Sequence, residues 1–459
     1  KGNRVKKRAR AKATELSSPK CQNTCSPVKE GTGKPIGVSK VLTFLFVLLQ
    51  RCTRIFENNY FLRVGKYRTQ NDRMNDEEDV PILDFSSSSS ESLSKKLHQA
   101  CARSGFFYAT GVPSVLEKAR RARKVCDAFF SRDVETKMRC FSLKKGYVPI
   151  NGTENAVRKP EFHEKFSCGR LLESYERSND PYYDPNRSLF FECENTFPRN
   201  VFGVTREKGE EDAFEEAYSS LYREMERFSE QLLRVFAMSL NMKEEELEYF
   251  VERSRKHVTN LVALRYDVSR AKRTLKKKEE DEDDTLLVRE HTDPTDFTCL
   301  FFDDERGPNG LQILIEEEEG GARGESRWID VPKVPNAMLV NVGDVLMAWT
   351  NGEYKSTRHR VILNRNSNKE EEEEEEEEEE SRLSLVWFHC PNYDALIDSR
   401  DVDARKKNLS NTTPPKYAPF LCKDRTHFQQ TERTKRGLKD RQLTSTHDTR
   451  VRGLDVENS

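Results

Sequence analysis

The rhythm of apolar and polar positions changes once along this chain, near Asn260. Upstream of it the pattern is mostly helical. "ESLSKKLHQACARSG" carries Leu93, Leu97 and Ala100 on one face and stops at Gly105, which predicts a helix with a glycine end. A second amphipathic segment runs from Pro113 to Phe130. A third, from about Glu211 to Leu240, repeats Phe214, Leu221, Met225, Phe228, Leu232 and Phe236, the stripe of a core-facing helix. Two short strands, in "VPILDF" and "FFYATGV", flank the first helix. Downstream the texture becomes "LVALRYD", "FTCLFF", "LQILI", "RWIDVP", "AMLVNVGDVLMAW", "HRVIL" and "RLSLVWFHC", punctuated by Gly, Pro and Asn. Repeated short strands without intervening helices predict an antiparallel sandwich or jelly roll rather than βαβ units. The fold class expected is therefore mainly β with flanking helices, α+β overall.

Charge modifies this picture locally. Charged residues make up 34% of the 459 and hydrophobic ones 35%, a low apolar share for a globular chain. Much of the charge sits in blocks: "AKRTLKKKEEDEDD" (271–284), "EEEEGGARGE" (316–325) and eleven Glu from 370 to 380. Like-charge runs repel and solvate, so each is expected to be a disordered loop between strands, where added length costs little closure entropy. Residues 1–40 hold eleven Lys/Arg against two Glu, then "VLTFLFVLL" follows, nine residues too few to span a bilayer. Residues 1–76 read as a basic, disordered extension, with organelle targeting as the alternative to a cytoplasmic location. The polar tail, 421–459, is expected to be disordered too. The net charge of −1 gives no global steering toward nucleic acid or membrane, and neither partner is expected. Eleven dispersed cysteines without a Cys-x-x-Cys pair read as reduced thiols.

The chemistry begins at "REHTDPTDFTCLFF". His291 and Asp293 stand two apart on an extended segment, so both side chains can reach one ion. His359, opening "HRVIL", is the best third ligand, because an antiparallel return would bring it alongside. Two imidazoles and a carboxylate are the ligand set of non-haem Fe(II) oxygenases; zinc accepts the same donors. In "RLSLVWFHC", Arg382 and Ser384 share a strand face and suit a carboxylate, and Tyr266 ends another strand and adds a phenol. Iron ligands plus a carboxylate anchor describe a site for a 2-oxo acid. By strand alternation His389 faces away from Ser384 and reads as structural, while His163 and His257 lack companions at ligand spacing.

At these residues the chain resembles the isopenicillin N synthase-like branch of the Fe(II)/2-oxoglutarate-dependent dioxygenases. The resemblance is carried by "HTD", "NVGDVLMAWTNGEYKSTRHRV", "RLS", "FHCPNYDALI" and "PPKYAPF", and upstream by "VPILDF", "ARSGFFYATGVP" and "GYVPINGTENA". It spans about Asp79 to Phe420. It implies a double-stranded β-helix (jelly-roll) core at 259–420, an N-terminal α/β domain at 77–205 and a helical support at 206–258. It also implies iron held by His291, Asp293 and His359, and 2-oxoglutarate held by Arg382 and Ser384 with help from Tyr266. Dioxygen would complete the site, with ascorbate a further candidate cofactor. Phe388 would line the side taken by a small-molecule substrate. The expected reaction is hydroxylation, desaturation or ring closure with release of succinate and CO2. Two other readings stand beside it: an oxidase of the same branch that dispenses with 2-oxoglutarate, and a non-catalytic jelly-roll binding protein. The oligomeric state is left open.

Overall fold

The three amphipathic patterns become three helices: α1 (Ser90–Arg103), α2 (Pro113–Phe130) and α3 (Glu210–Ser239). The structure, a computed structural model, describes residues 80–429 apart from 87–89, 151–161, 173–178, 188–190, 192–193, 199–209, 276–285, 303–309, 320–321, 364–380 and 408–413. Helix α1 ends where the glycine predicts. Gly105 adopts φ +71°, and a Cβ there would come within 2.0 Å of the Lys355 carbonyl oxygen. Pro113 opens α2, where its missing N–H costs no helical bond. On α3 the six stripe residues are all buried, and the neighbouring Ser229 accepts a hydrogen bond from the indole N–H of Trp387.

Two sheets face each other. The larger combines β1 (Ile82–Asp84), β2 (Phe106–Thr110), β3 (Tyr147–Val148), β4 (His163–Cys168), β5 (Asn260–Asp267), β7 (Phe297–Phe301), β10 (Met338–Val342) and β12 (Ser381–His389) in the order β1-β2-β10-β7-β12-β5-β4-β3. The smaller runs β6-β11-β8-β9, built from β6 (Leu286–His291), β8 (Leu311–Glu319), β9 (Ala322–Asp330) and β11 (His359–Ile362). Alternation along each strand divides the core in two. Phe107, Ala109, Leu383, Leu385 and Trp387 pack outward against the helices. Phe106, Tyr108, Tyr266 and Leu339 face inward and meet Leu287, Leu311, Ile313 and Val361 of the smaller sheet. That inner space is where a jelly roll holds its site.

Strands from 77–205 and from 259–420 take part in one large sheet. Several expectations change. "AMLVNVGDVLMAW" is not one β segment: after β10 the chain turns at Gly343 into a short helix, Asp344–Trp349. A short apolar run does not distinguish strand from buried helix by periodicity, which is why the reading failed there. The block at 271–284 begins as helix, Val268–Leu275. The block at 316–325 is crossed by β8 and β9, which stay paired to Glu319↔Ala322, although the register begun at Gln312↔Asp330 shifts by one residue between Glu316 and Glu318. The glutamate run lies outside the described residues, as do 1–79. The tail is ordered at its start: β14 (Phe420–Leu421) pairs with β13 (Leu396–Ile397), Cys422 is buried, and Phe428 stacks on Phe420 at 4.3 Å. From 430 onward the tail lies outside the described residues.

Candidate active site

His291 closes β6 and His359 opens β11, and the two stand directly opposite each other in the antiparallel ladder. Asp293 sits in the turn between β6 and β7. One ligand atom from each residue falls within 4.8 Å of the others. The imidazole Nε2 atoms of His291 and His359 lie 3.7 and 3.8 Å from the same oxygen, Asp293 Oδ1. Both rings are oriented by their own backbone: His291 Nδ1 donates to the Arg289 carbonyl at 2.8 Å and His359 Nδ1 to that of Thr357 at 3.2 Å. With Nδ1 carrying the proton, each Nε2 presents a lone pair inward. Three acceptors then converge with no donor among them, an arrangement that fits a divalent cation. Phe106 meets His359 edge to face at 5.8 Å.

The far oxygen of the carboxylate is engaged. Thr298 Oγ1 donates to Asp293 Oδ2 at 2.7 Å and Asn341 Nδ2 donates at 2.9 Å, which turns Oδ1 toward the imidazoles. Burial pushes the Asp293 carboxyl up, but the positive charge that either imidazole carries when protonated, together with the Asn341 and Thr298 donors, outweighs it and holds the group below the usual carboxylate range. Burial pushes His359 down, so it is neutral and available as a ligand. The turn itself is latched to Gly343 and the helix after it. Asp344 N donates to the Asp293 carbonyl at 2.8 Å, Gly343 N to that of Asp296 at 2.9 Å, and Thr292 Oγ1 to Asp344 Oδ2 at 3.0 Å. Gly343 is required by contact, since a Cβ would come within 2.2 Å of the Thr295 carbonyl oxygen. Gln429, from the ordered start of the tail, donates Nε2 to the Thr292 carbonyl.

Farther along the inner face, Arg382 on β12 stands opposite Tyr266 on β5, with its guanidinium 4.9 Å from the ring centroid. Burial raises the Tyr266 phenol, which therefore stays protonated and able to donate. Ser384 follows two residues on, buried on the same face. Phe388 stands opposite Thr298, so it shares the face that holds Asp293. His389 points the other way, donating through Nδ1 to Asp296 at 2.9 Å and stacking on Phe297 at 4.5 Å. His163 lies 5.5 Å from the Tyr266 ring, and His257 pairs with Glu226 at 3.0 Å. Sequence reading missed Thr298, Asn341, Thr292, Asp344 and Gln429. Asn341 and Asp344 lie inside the block "NVGDVLMAW", but nothing local marks them as partners of the metal turn.

Known proteins resemble this chain in sequence and in fold. Residues 259–391 match the family model of the 2OG-Fe(II) oxygenase superfamily, and residues 80–189 match that of the non-haem dioxygenase in morphine synthesis N-terminal region. A curated relative, homoarginine-6-hydroxylase of Glycine max, is 29% identical over 68% of this chain and 82% of its own length. Gibberellin 20 oxidase 4 of Arabidopsis thaliana is 24% identical over 69% and 72%. Among solved structures, a 2OG-Fe(II) oxygenase family protein of Caulobacter crescentus shares the fold at a TM-score of 0.57 with 20% identity, covering 77% of this chain and 99% of that one. A full-length Neurospora crassa protein in complex with alpha-KG does so at 0.55, with 18% identity, over 78% and 98%. The chain belongs to the 2OG-Fe(II) oxygenase superfamily. It is an Fe(II)- and 2-oxoglutarate-dependent dioxygenase, and of the three readings above the relatives support this one. No helix among the described residues is long and apolar enough to cross a membrane.

Proposed function

We propose that His291, Asp293 and His359 hold the iron, that Arg382, Ser384 and Tyr266 hold the distal carboxylate of 2-oxoglutarate, and that Phe388 lines the substrate side. One observation carries this reading: the three convergent ligand atoms and the Arg382–Tyr266 pair border one apolar cluster between the sheets, which contains both Phe106, in contact with His359, and Tyr266. The chain's part in the chemistry is preparation. Thr298 and Asn341 aim the carboxylate, and the Arg289 and Thr357 carbonyls fix both imidazole tautomers. The Arg382 fork and the hydroxyls of Ser384 and Tyr266 offer donors to an anion in a place shielded from water. Phe106 and Phe388 supply apolar walls. When bound, iron, 2-oxoglutarate and dioxygen supply the oxidising power and release succinate and CO2.

The substrate we propose is a small organic molecule, oxidised by hydroxylation, desaturation or ring closure. The apolar inner lining, with Ile313 and Leu339 beside the site, supports it, and so do relatives named as hydroxylases and gibberellin oxidases. The test is succinate formation from 2-oxoglutarate by the Fe(II) protein, compared with Asp293→Ala and Arg382→Ala. Loss in the first and a raised 2-oxoglutarate KM in the second support the roles assigned. Undiminished turnover in Asp293→Ala would remove the metal assignment.

A further inference from the structure

Helix α2 carries one cation turned toward the sheet instead of the solvent. Arg123 follows Ala122 in the buried stripe and is half-buried. Its Nη1 donates to the carbonyl of Leu383, and its Nη2 donates to those of Phe301, at 3.1 Å, and Phe302. All three carbonyls lie where β7 and β12 part. The ladder between these strands ends at Leu385↔Phe301. Two residues nearer the start of β12, Leu383 faces Arg265 of β5 on one side, and on the other the guanidinium stands where β7 would continue. A planar fork with several donors can satisfy diverging carbonyls in this way, as one ammonium could not. Buried carbonyls at a strand end need such partners to remain in place.

Leu383 separates Arg382 from Ser384. Its side chain is fully buried under the helices, so its neighbours project to the inner face, beside Tyr266 and Leu264. The direction of both donors follows from the plane of the peptides around Leu383. We propose that Arg123 is a positioning residue for the co-substrate: by clamping the Leu383 carbonyl to the end of β7 it aims Arg382 and Ser384. This rests on the assignment of those two residues to the distal carboxylate of 2-oxoglutarate.

Calorimetric titration of the Mn(II)-loaded full chain with 2-oxoglutarate tests it, in wild type, Arg123→Met, Arg123→Lys and Arg382→Met. Methionine keeps the stem and removes every donor; it should weaken 2-oxoglutarate binding about tenfold, with Mn(II) affinity held within about twofold. Lysine, reaching fewer carbonyls, should lose about threefold. Arg382→Met, which removes the anchor itself, should lose more than either. Wild-type 2-oxoglutarate affinity in folded Arg123→Met overturns the proposal. If that variant does not fold, wild-type affinity in Arg123→Lys overturns it equally. Parallel loss of Mn(II) affinity, 2-oxoglutarate affinity and melting temperature in both Arg123 variants would show a clamp that serves stability alone, and also overturns it. Should Arg382→Met bind 2-oxoglutarate as wild type does, the carboxylate assignment fails and the proposal falls with it. That outcome differs from a null confined to Arg123.

Discussion

Replacing Thr298 by valine changes almost no volume and removes one donor from Asp293 Oδ2. In the structure that donor is the shorter of two, 2.7 Å against 2.9 Å from Asn341. A hydrogen bond to a charged, buried acceptor contributes roughly 1.5–3 kcal/mol. Part of that is recovered, because Asn341 still holds the carboxylate and the metal charge still attracts Oδ1. A loss of about 1.4–2.5 kcal/mol corresponds to metal affinity lower by about ten- to seventyfold, within the range set by removing outer partners of a metal ligand. The assay is competition between the protein and a chelator of known strength for Mn(II) or Fe(II) under anaerobic conditions, with a melting curve of the metal-free protein as control. The Asn341→Ala change should act in the same direction, and the double variant should lose more than either alone. If Thr298→Val and the double variant both fold and hold metal as tightly as wild type, the far oxygen does not set the geometry of the site and the reasoning fails.

Other outcomes follow from the same contacts. Gly343→Ala would force the Thr295 carbonyl away from a new Cβ at 2.2 Å; because that carbonyl belongs to the metal turn, melting temperature and metal affinity should fall together, stability by about 3 kcal/mol. Arg382→Lys keeps the charge but loses the fork, so the KM for 2-oxoglutarate should rise about tenfold, with metal affinity unchanged in the chelator assay. Burial lowers His257, which faces Glu226, from 6.5 to about 4. The unfolded chain therefore takes up a proton near pH 6.5 that the folded chain refuses until about pH 4. Stability is full above pH 6.5 and falls as pH drops toward 4, by about 3 kcal/mol from this group. Denaturant melts of the metal-free protein should show that part of the acid sensitivity missing in His257→Gln, and equal pH profiles would refute it.

Local patterns were legible where one side chain period decides the outcome. The α3 stripe, the glycine stop at Gly105 and the alternation that turns His389 away from Phe388 all follow from residue spacing. The convergence of His291, Asp293 and His359 was legible because His291 and His359 lie at the ends of paired strands and Asp293 follows His291 by two residues. What was not legible depends on pairing between distant segments. Thr298 and Asn341 reach Asp293 together only because β7 and β10 are neighbours in register, Asn341 opposite Thr298. The chain from 80 to 168 completes both edges of the large sheet through contacts that no local pattern announces. The acidic hairpin failed for a different reason: charge argued for a loop, but β8 and β9 continue pairing past their apolar part, through a register shift between Glu316 and Glu318, as far as Glu319↔Ala322. Arg123 gave no signal at all, since one arginine on an amphipathic helix ordinarily faces water.

The most direct test of the central claim is an anaerobic titration of the Fe(II) protein with 2-oxoglutarate, followed by visible absorption, in wild type, His291→Ala and Arg382→Ala. The account predicts a saturable band on addition of the keto acid, absent in His291→Ala and formed only at higher concentration in Arg382→Ala. A band that persists in His291→Ala, or iron binding with no band in wild type, would contradict it.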